Sequence, residues 1–292
     1  MNILIGIPAF NEENNIRNIL QQVKKIAENI LVCDDGSTDN TYNIAKEMGV
    51  KVIKHKKNLG YGSAIKTIFE QAKILDVDVL ITIDADGQHD VSDINKIIEP
   101  IKQNKADIVI GSRFLEKSKN IPKYRKLGIK AINGLTNIPS KSNISDTQSG
   151  FRGYSKNVLK QIDLIENGMG ISTEILLKSI KNNFKIFEVP INISYNGDTS
   201  THNPISHGAV VILSTMKFIS IDRPLTFYGI PGLILFSIGI FFSIWTLQIF
   251  TETRQIFTNV ALIGFAGLIL GSLFLMTSIL LFSLATLHKQ SK

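Results

Sequence analysis

Several short polar clusters in this 292-residue chain hold the residue types that phosphate and metal chemistry needs. The sharpest is Asp84-Ala85-Asp86-Gly87-Gln88-His89, which ends the apolar run 79–83. Two carboxylates, an amide and an imidazole so close together suit a hard divalent cation. Such an ion takes oxygen ligands, usually one or two carboxylates plus substrate phosphates. An Asp-x-Asp standing alone is more often a solvated acidic turn, so its neighbours must decide. They are Asn11-Glu12-Glu13, Asp34-Asp35-Gly36-Ser37-Thr38-Asp39 and Ser112-Arg113, followed by the dense polar run 145–152.

The elements that must position these clusters alternate in type. Apolar runs at 2–8, 30–33, 50–55, 79–83 and 108–110 read as strands. Between them Ile16, Ile19, Leu20, Val23 and Ile26 mark one face of a helix. Further helices are expected up to about Met48 with Ser37 or Thr38 as cap, at about 63–75, and over 90–103 with Asp90 or Ser92 near the start. Such alternation predicts an α/β fold, a mostly parallel sheet with helices on both faces. In open sheets of that kind ligands bind outside the carboxyl ends of the strands. Each of the four clusters follows a strand, so all should converge on one edge, which favours the metal reading over the solvated turn. A helix is expected around Leu176 and Ile180, with Thr173-Glu174 near its start. The run 186–193 reads as an edge strand, because Pro190 cannot donate to a central ladder.

Some chemistries are disfavoured. Gly60-Tyr61-Gly62 lacks the third glycine of a dinucleotide fingerprint, and no Gly-Lys-Ser/Thr phosphate loop is present. The single cysteine, Cys33, excludes an internal disulfide. No histidine near it in sequence suits nucleophilic catalysis, so Cys33 is expected to pack in the sheet. The first residues show no basic region or small-residue cleavage site, so no signal peptide is expected.

Charge and hydropathy divide the chain. Residues 110–160 hold eleven Lys/Arg against Glu116 and Asp146. Most of these are a solvated basic surface, but Tyr124, Leu127, Ala131 and Leu135 repeat at helical spacing. Residues 122–136 are therefore expected to form a basic amphipathic helix suited to an anionic membrane surface. Nucleic acid is the weaker partner for this patch, because the chain ends in membrane-like sequence. Residues 227–250 and 259–287 carry no Asp, Glu, Lys or Arg. About 20 apolar residues cross a bilayer core, so two transmembrane helices joined as an antiparallel hairpin are expected. The basic segment and the tail His288-Lys289-Gln290-Ser291-Lys292 belong on the cytoplasmic face. The expected organisation is a cytoplasmic domain over 1–204, an amphipathic interfacial segment over 205–226, and the hairpin over 227–287. The outer faces of the hairpin are expected to offer Gly264, Gly267 and Gly271 for association.

The motifs Pro8-Ala9-Phe10-Asn11-Glu12-Glu13, 34–39, Asn58-Leu59-Gly60, 84–89, Gly111-Ser112-Arg113, 146–152 and Glu188-Val189-Pro190-Ile191 occur in order. Together they resemble family 2 glycosyltransferases of the GT-A fold, in the branch of dolichyl-phosphate mannose synthases and related polyprenyl-phosphate sugar synthases. The resemblance covers about 1–195. It implies a GT-A domain, a nucleotide-sugar donor such as GDP-mannose or a UDP-sugar, a polyprenyl phosphate acceptor and a lipid bilayer as partner. It implies that Pro8, Phe10, Glu12, Cys33 and Asp35 line the base and ribose pocket, with Asp84 and Ala85 also on the donor side. Asp84, Asp86 and Gln88 would hold Mg²⁺ or Mn²⁺. Arg113 and Arg125 would hold the lipid phosphate, and Asp146, Gln148, Ser149 and Arg152 would shape the acceptor and sugar site. Asp86 and these six residues are the ones to which the resemblance assigns catalysis. Basic residues that reach the donor phosphates near 195–203 in the family are absent here; His202 or His207 is a candidate substitute. A processive polysaccharide synthase of the same fold would carry Gln-x-x-Arg-Trp, but the only tryptophan, Trp245, lies in the first expected span. A non-catalytic membrane scaffold would not need the intact acidic motif.

Overall fold

A computed structural model describes residues 1–115, 144–193, 213, 216, 219–221 and 223–290. The expected helix over 122–136, Arg125, the 195–207 loop with His202 and His207, and most of 205–226 lie outside the described residues. The chain divides into two compact units, Met1–Thr215 and Met216–Lys292.

The first unit is built on seven strands: β1 (Ile3–Ala9), β2 (Ile30–Asp34), β3 (Lys51–Lys54), β4 (Val79–Thr82), β5 (Ile108–Ser112), β6 (Arg152–Ser155) and β7 (Ile186–Pro190). Their order across the sheet is β3-β2-β1-β4-β6-β5-β7. β1 pairs in parallel with both β2 and β4, so the chain reverses its direction of progress across the sheet at β1. That switch point is where such sheets open a crevice for ligands. β7 lies at the edge, where the backbone of Pro190 is tolerated.

β6 departs from the sequence expectation. It runs antiparallel between β4 and β5, with Thr82 and Ile110 both opposite Arg152. Its start therefore meets the carboxyl ends of its neighbours, and the loop before it arrives at the same edge as the four strand-end clusters. Arg-Gly-Tyr-Ser carries no β-branched residue and only one aromatic, so local propensity gives no strand signal. Two flanking strands impose the conformation.

Helices α1 (Ile16–Val23), α2 (Thr41–Glu47), α3 (Tyr61–Ile74), α4 (Ile94–Lys102), α5 (Lys156–Gln161) and α6 (Ile171–Lys181) cover the sheet. Ile5 and Ile7 of β1 share a core with Ile16, Leu20 and Val23 of α1 and with Ile94 and Ile97 of α4. Leu4 joins the opposite core, with Ile65, Ile68 and Phe69 of α3 and Leu176 of α6. Alternate strand residues thus feed alternate faces, and because both faces are covered the strand reads as continuously apolar. Each such side chain contributes about 1.5–3 kcal/mol on burial. The Asp90 carboxylate accepts from Ser92 N at 2.9 Å and opens the turn before α4. For α2 the expected caps are wrong: Asp39, not Ser37 or Thr38, accepts from Thr41 N at 2.9 Å.

The second unit holds α7 (Ile230–Thr253), entered through a wide helical turn over Leu225–Gly229, and α8 (Thr258–Gln290). The apolar stretches Leu225–Thr253 and Thr258–Leu287 have mean hydropathy 2.1 and 2.3 and are long enough to span a membrane. Side chains such as Leu233, Phe241, Phe265 and Met276 are exposed, unlike those of a soluble core helix. The glycines expected on the outer face of the hairpin instead line its seam. A Cβ at Gly267 would stand 2.7 Å from Gly239 Cα, and one at Gly271 2.5 Å from Phe236 N. They serve the close approach of α8 to α7 within the chain and are spent there.

Candidate active site

Two of the strand-end clusters are locked together. Asn11 N donates to Ser37 Oγ at 2.9 Å, Glu12 N to Thr41 Oγ1 at 2.7 Å and Glu13 N to Asp39 Oδ2 at 3.1 Å. In return Thr38 N donates to Asn11 Oδ1 at 2.9 Å and Asn40 N to Glu13 Oε2 at 3.0 Å. The loops after β1 and β2 therefore form one rigid wall. Glu12, half-buried in it, has its carboxyl pushed up by burial and by the negative charges of Asp86, Asp84 and Asp39, against a hydrogen bond from Asn15 that lowers it. Asn15 donates from Nδ2 to Glu12 Oε2 at 2.9 Å, and its own Oδ1 stands 3.8 Å from where a Cβ on Gly87 would lie, so Glu12 borders the Asp-x-Asp turn.

The motif itself divides into a held and a turned carboxylate. Asp84, just past β4, accepts from Tyr61 Oη at 2.9 Å and has His89 Nε2 3.6 Å from its other oxygen. Gly150 closes the third side; a Cβ there would run into both Asp84 oxygens. Burial opposes ionisation of Asp84, but His89, Tyr61 and Arg113 together hold its carboxyl below the usual range. Asp86 Oδ1 accepts from Gln88 N at 2.9 Å across Gly87, whose φ of +73° few side chains adopt. Asp84, Asp86 and Gln88 thus lie on one tight turn. Among the described residues no three His, Cys, Asp or Glu side chains gather as a metal site. Two carboxylates and an amide on one turn still fit a hard cation that takes its remaining oxygens from a diphosphate.

The loop before β6 forms the facing wall. Asp146 is fully buried and receives Arg113 through Nε and Nη2, each at 2.6 Å, and through Arg113 N at 3.1 Å. Burial pushes the Asp146 carboxyl up, but the Arg113 guanidinium overrides it and holds it below the ordinary range. Arg152, 1% exposed, spends its guanidinium on the carbonyls of Ser149 (2.7 Å), Ser172 (3.1 Å) and Thr147 (2.6 Å). Thr82 Oγ1 donates to Gly150 O at 2.8 Å. Gln148 Nε2 reaches Thr173 Oγ1 at 3.2 Å, at the start of α6. Arg152 therefore shapes the loop from inside.

The described residues singled out from sequence converge on this edge, but their exposure separates them. Phe10, Glu12, Asp84, Asp86, Gln88, Arg113 and Gln148 retain accessible surface. Pro8, Cys33, Asp35, Ala85, Asp146, Ser149 and Arg152 are buried behind them. Cys33 has no exposed surface and packs with Leu31 and Phe69. Cys33 packs in the sheet as expected, although a histidine distant in sequence does approach it, with His55 Nε2 3.6 Å from its sulfur. That contact does not activate the thiol, which burial and the neighbouring Asp35 push up to about 12. His55 serves Asp35 instead, with Nδ1 2.6 Å from Asp35 Oδ1, while Leu59 N and Gly60 N donate to the same carboxylate at 3.0 and 2.8 Å.

The sequence assigns no site role to Tyr61 or His55, gives Glu188 only as part of a motif, and leaves His89 out of the ligand set that the resemblance implies. Tyr61 stands between two glycines at a helix start beside the same edge, which is a usable signal. His55 closes the third strand run and Glu188 interrupts an apolar one, and both could have been read as inward-facing polar groups.

Comparison with known proteins agrees with this architecture. The family model described as Glycosyl transferase family 2 matches residues 4–163. The chain is 36% identical over 215 residues to the UDP-N-acetylglucosamine–dolichyl-phosphate N-acetylglucosaminyltransferase of Methanococcus voltae, over 66% of this chain and 86% of the relative. It is 36% identical over 202 residues to the dolichol-phosphate mannosyltransferase of Pyrococcus furiosus, over 65% of this chain and 56% of the relative. Its fold matches glucosyl-3-phosphoglycerate synthase from Mycobacterium tuberculosis, solved with Mn²⁺, UDP and glucosyl-3-phosphoglycerate, with a TM-score of 0.60 at 17% identity over 75% of this chain and 79% of that one. With a GT-A-like sheet and this degree of likeness to named sugar transferases, the chain belongs to glycosyl transferase family 2 and is a glycosyltransferase.

Proposed function

We propose that this glycosyltransferase moves a hexose from a nucleotide-diphosphate sugar to a polyprenyl phosphate at the cytoplasmic face of a membrane, with inversion at the anomeric carbon. One observation carries the reading: the loop before β6 touches both strand ends, with Asp146 gripping Arg113 beyond β5 and Gly150 packed against the Asp84 carboxylate beyond β4. A cluster suited to a cation and a cation suited to a phosphate thus share one edge of the sheet.

The chemistry asks little of a base. A phosphate monoester has a second pKa near ~6 and is largely a dianion at neutral pH, so its oxygen is already nucleophilic. Arg113, with Arg125, orients that phosphate by charge-assisted hydrogen bonds and sets its approach to the sugar. Asp84, Asp86 and Gln88 would hold Mg²⁺ or Mn²⁺. A bound divalent ion supplies the positive charge that the departing diphosphate needs. The wall made by Phe10, Glu12 and the 37–41 loop takes the base and ribose. Asp35, Cys33 and Pro8 support it from behind, and Gln148, Ser149 and Arg152 fix the loop that faces the sugar. Direct displacement inverts the centre, so an α-linked donor gives a β-linked lipid product.

The apolar helices support a membrane-held enzyme. Residues 1–204 form the catalytic domain, 205–226 the interfacial segment and 227–287 the spanning hairpin. The basic residues at 113–160 and the Lys-containing tail favour a cytoplasmic catalytic face. The names of the relatives cover both N-acetylglucosaminyl and mannosyl transfer, so the donor is tested as a panel. Full-length protein in detergent is given a polyprenyl phosphate, Mg²⁺ or Mn²⁺, and labelled UDP- and GDP-sugars in turn. Label in the lipid phase from one donor is the expected result, and no lipid-linked label from any donor overturns the proposal.

A further inference from the structure

Glu188 lies in the middle of β7, opposite Ile110 of β5, yet its carboxylate is committed to a different element. Oε2 accepts from Ser145 N at 2.9 Å, and Oε1 accepts from Asp146 N and Ser145 Oγ, each at 2.9 Å. Ser145 Oγ is also 2.6 Å from Ser112 Oγ, at the end of β5. The next residue along, Asp146, grips Arg113 at two points on the guanidinium and at the backbone. The links form a closed ring: β5 to Arg113, Arg113 to Asp146, the Asp146 backbone to Glu188, and β7 back to β5.

The ring constrains orientation. A bidentate carboxylate–guanidinium pair is planar, so the direction of the Asp146 side chain fixes the plane of Arg113. That direction depends on the Asp146 backbone, which the Glu188 carboxylate holds through the successive N–H groups of Ser145 and Asp146. A neutral brace would have sufficed to attach the loop. Three donors converging on one charged group hold it in a single pose.

We propose that Glu188 is a positioning residue for the acceptor phosphate, setting the plane and reach of Arg113 through Asp146. The proposal rests on the reading that Arg113 holds the lipid phosphate. Glu188→Gln keeps the shape of the side chain but turns an NH₂ toward backbone N–H donors, so one contact becomes repulsive.

The test measures KM for polyprenyl phosphate, KM for the nucleotide sugar and kcat in full-length wild type, Glu188→Gln, Arg113→Ala and the double variant. Glu188→Gln is expected to raise the acceptor KM about tenfold with the donor KM within about twofold, and to add less than about twofold in the Arg113→Ala background, since coupled residues are non-additive. An effect of Glu188→Gln that multiplies fully with that of Arg113→Ala overturns the proposal, as does a lower kcat with the acceptor KM unchanged. If Arg113→Ala itself leaves the acceptor KM unchanged, the reading of Arg113 fails and the proposal with it. Should Glu188→Gln not fold, Ser145→Ala removes one of the three donors, and an acceptor KM raised about threefold is expected from the loss of one such bond. An unchanged value there counts against the proposal.

Discussion

Asp146 and Arg113 are joined by two parallel hydrogen bonds of 2.6 Å, with the carboxylate fully buried and the guanidinium side chain 15% exposed. A buried carboxylate that keeps its charge does so because of its partner. Removing one member of such a pair leaves the other uncompensated and costs about 3–5 kcal/mol. Asp146→Asn is therefore expected to lower Tm by several degrees and to weaken use of the acceptor. A Tm equal to wild type contradicts the pairing.

The same pair has a pH signature. Arg113 holds the Asp146 carboxyl below its ordinary value, near ~3.9 in an unfolded chain. Its contribution to stability is complete above that value and is lost as pH falls through the lower, folded pKa. Between pH 5 and acid conditions, wild type should lose more stability than Asp146→Asn. Parallel Tm–pH curves for the two proteins would remove Asp146 as a linked group.

Tyr61 offers a milder probe of the acidic turn. Tyr61→Phe deletes the hydroxyl that donates to Asp84 and leaves the ring in place. A hydrogen bond to a charged group contributes about 1.5–3 kcal/mol, so donor kcat/KM should fall by roughly 10- to 100-fold. Gly150→Ala, whose methyl would collide with both Asp84 oxygens, should do more damage than Tyr61→Phe. The reverse ranking would mean that the Gly150–Asp84 contact does not position the carboxylate.

Cys33 should be silent in the folded enzyme. Burial and Asp35 push its thiol up to about 12, whereas an unfolded cysteine titrates near ~8.5. The unfolded state thus releases its proton first, and this residue makes stability fall as pH rises between those values. At pH 8 an alkylating reagent should leave Cys33 intact until denaturant is added; rapid labelling of the native protein would contradict its burial.

The hairpin seam is equally testable. Gly267→Leu would drive a side chain into Gly239 and the carbonyl of Leu235. Overpacking of this kind costs about 1–3 kcal/mol or splays the helices. Spin labels on α7 and α8 in detergent should move apart in the variant and stay close in wild type. An unchanged distance would place the glycine off the seam.

How far these features could be read in the sequence depended on how local they are. The strand ending at Asp84 was legible because an apolar run and its terminating carboxylates lie within a few residues. The edge position of β7 followed from Pro190 alone. β6 was not legible, since Arg152-Gly153-Tyr154-Ser155 becomes a strand only between β4 and β5. Tyr61 with Asp84, Cys33 with His55 and Asp146 with Glu188 are pairs separated by 23, 22 and 42 residues. Composition marks each partner as polar, but only the folded sheet brings them together. Arg152 is legible as part of the site loop, but its partners are not: its guanidinium donates to the carbonyls of Ser149, Ser172 and Thr147, the second of them 20 residues away. The glycines of α8 are legible as a packing stripe, but their partner is not, because periodicity does not say which helix faces it; the fold turns them to α7.

The central claim is that the turn after β4 binds the cation that carries the sugar donor's diphosphate. Its most direct test is the formation of lipid-linked sugar by wild type and by Asp86→Ala, each as full-length protein in detergent with and without Mg²⁺ or Mn²⁺. Wild type should turn over only with the metal present, and with metal present Asp86→Ala should fall at least about 10³-fold below it, a loss of some 4 kcal/mol of transition-state stabilisation. Metal-independent turnover by wild type, or near-wild-type turnover by Asp86→Ala, would contradict the account.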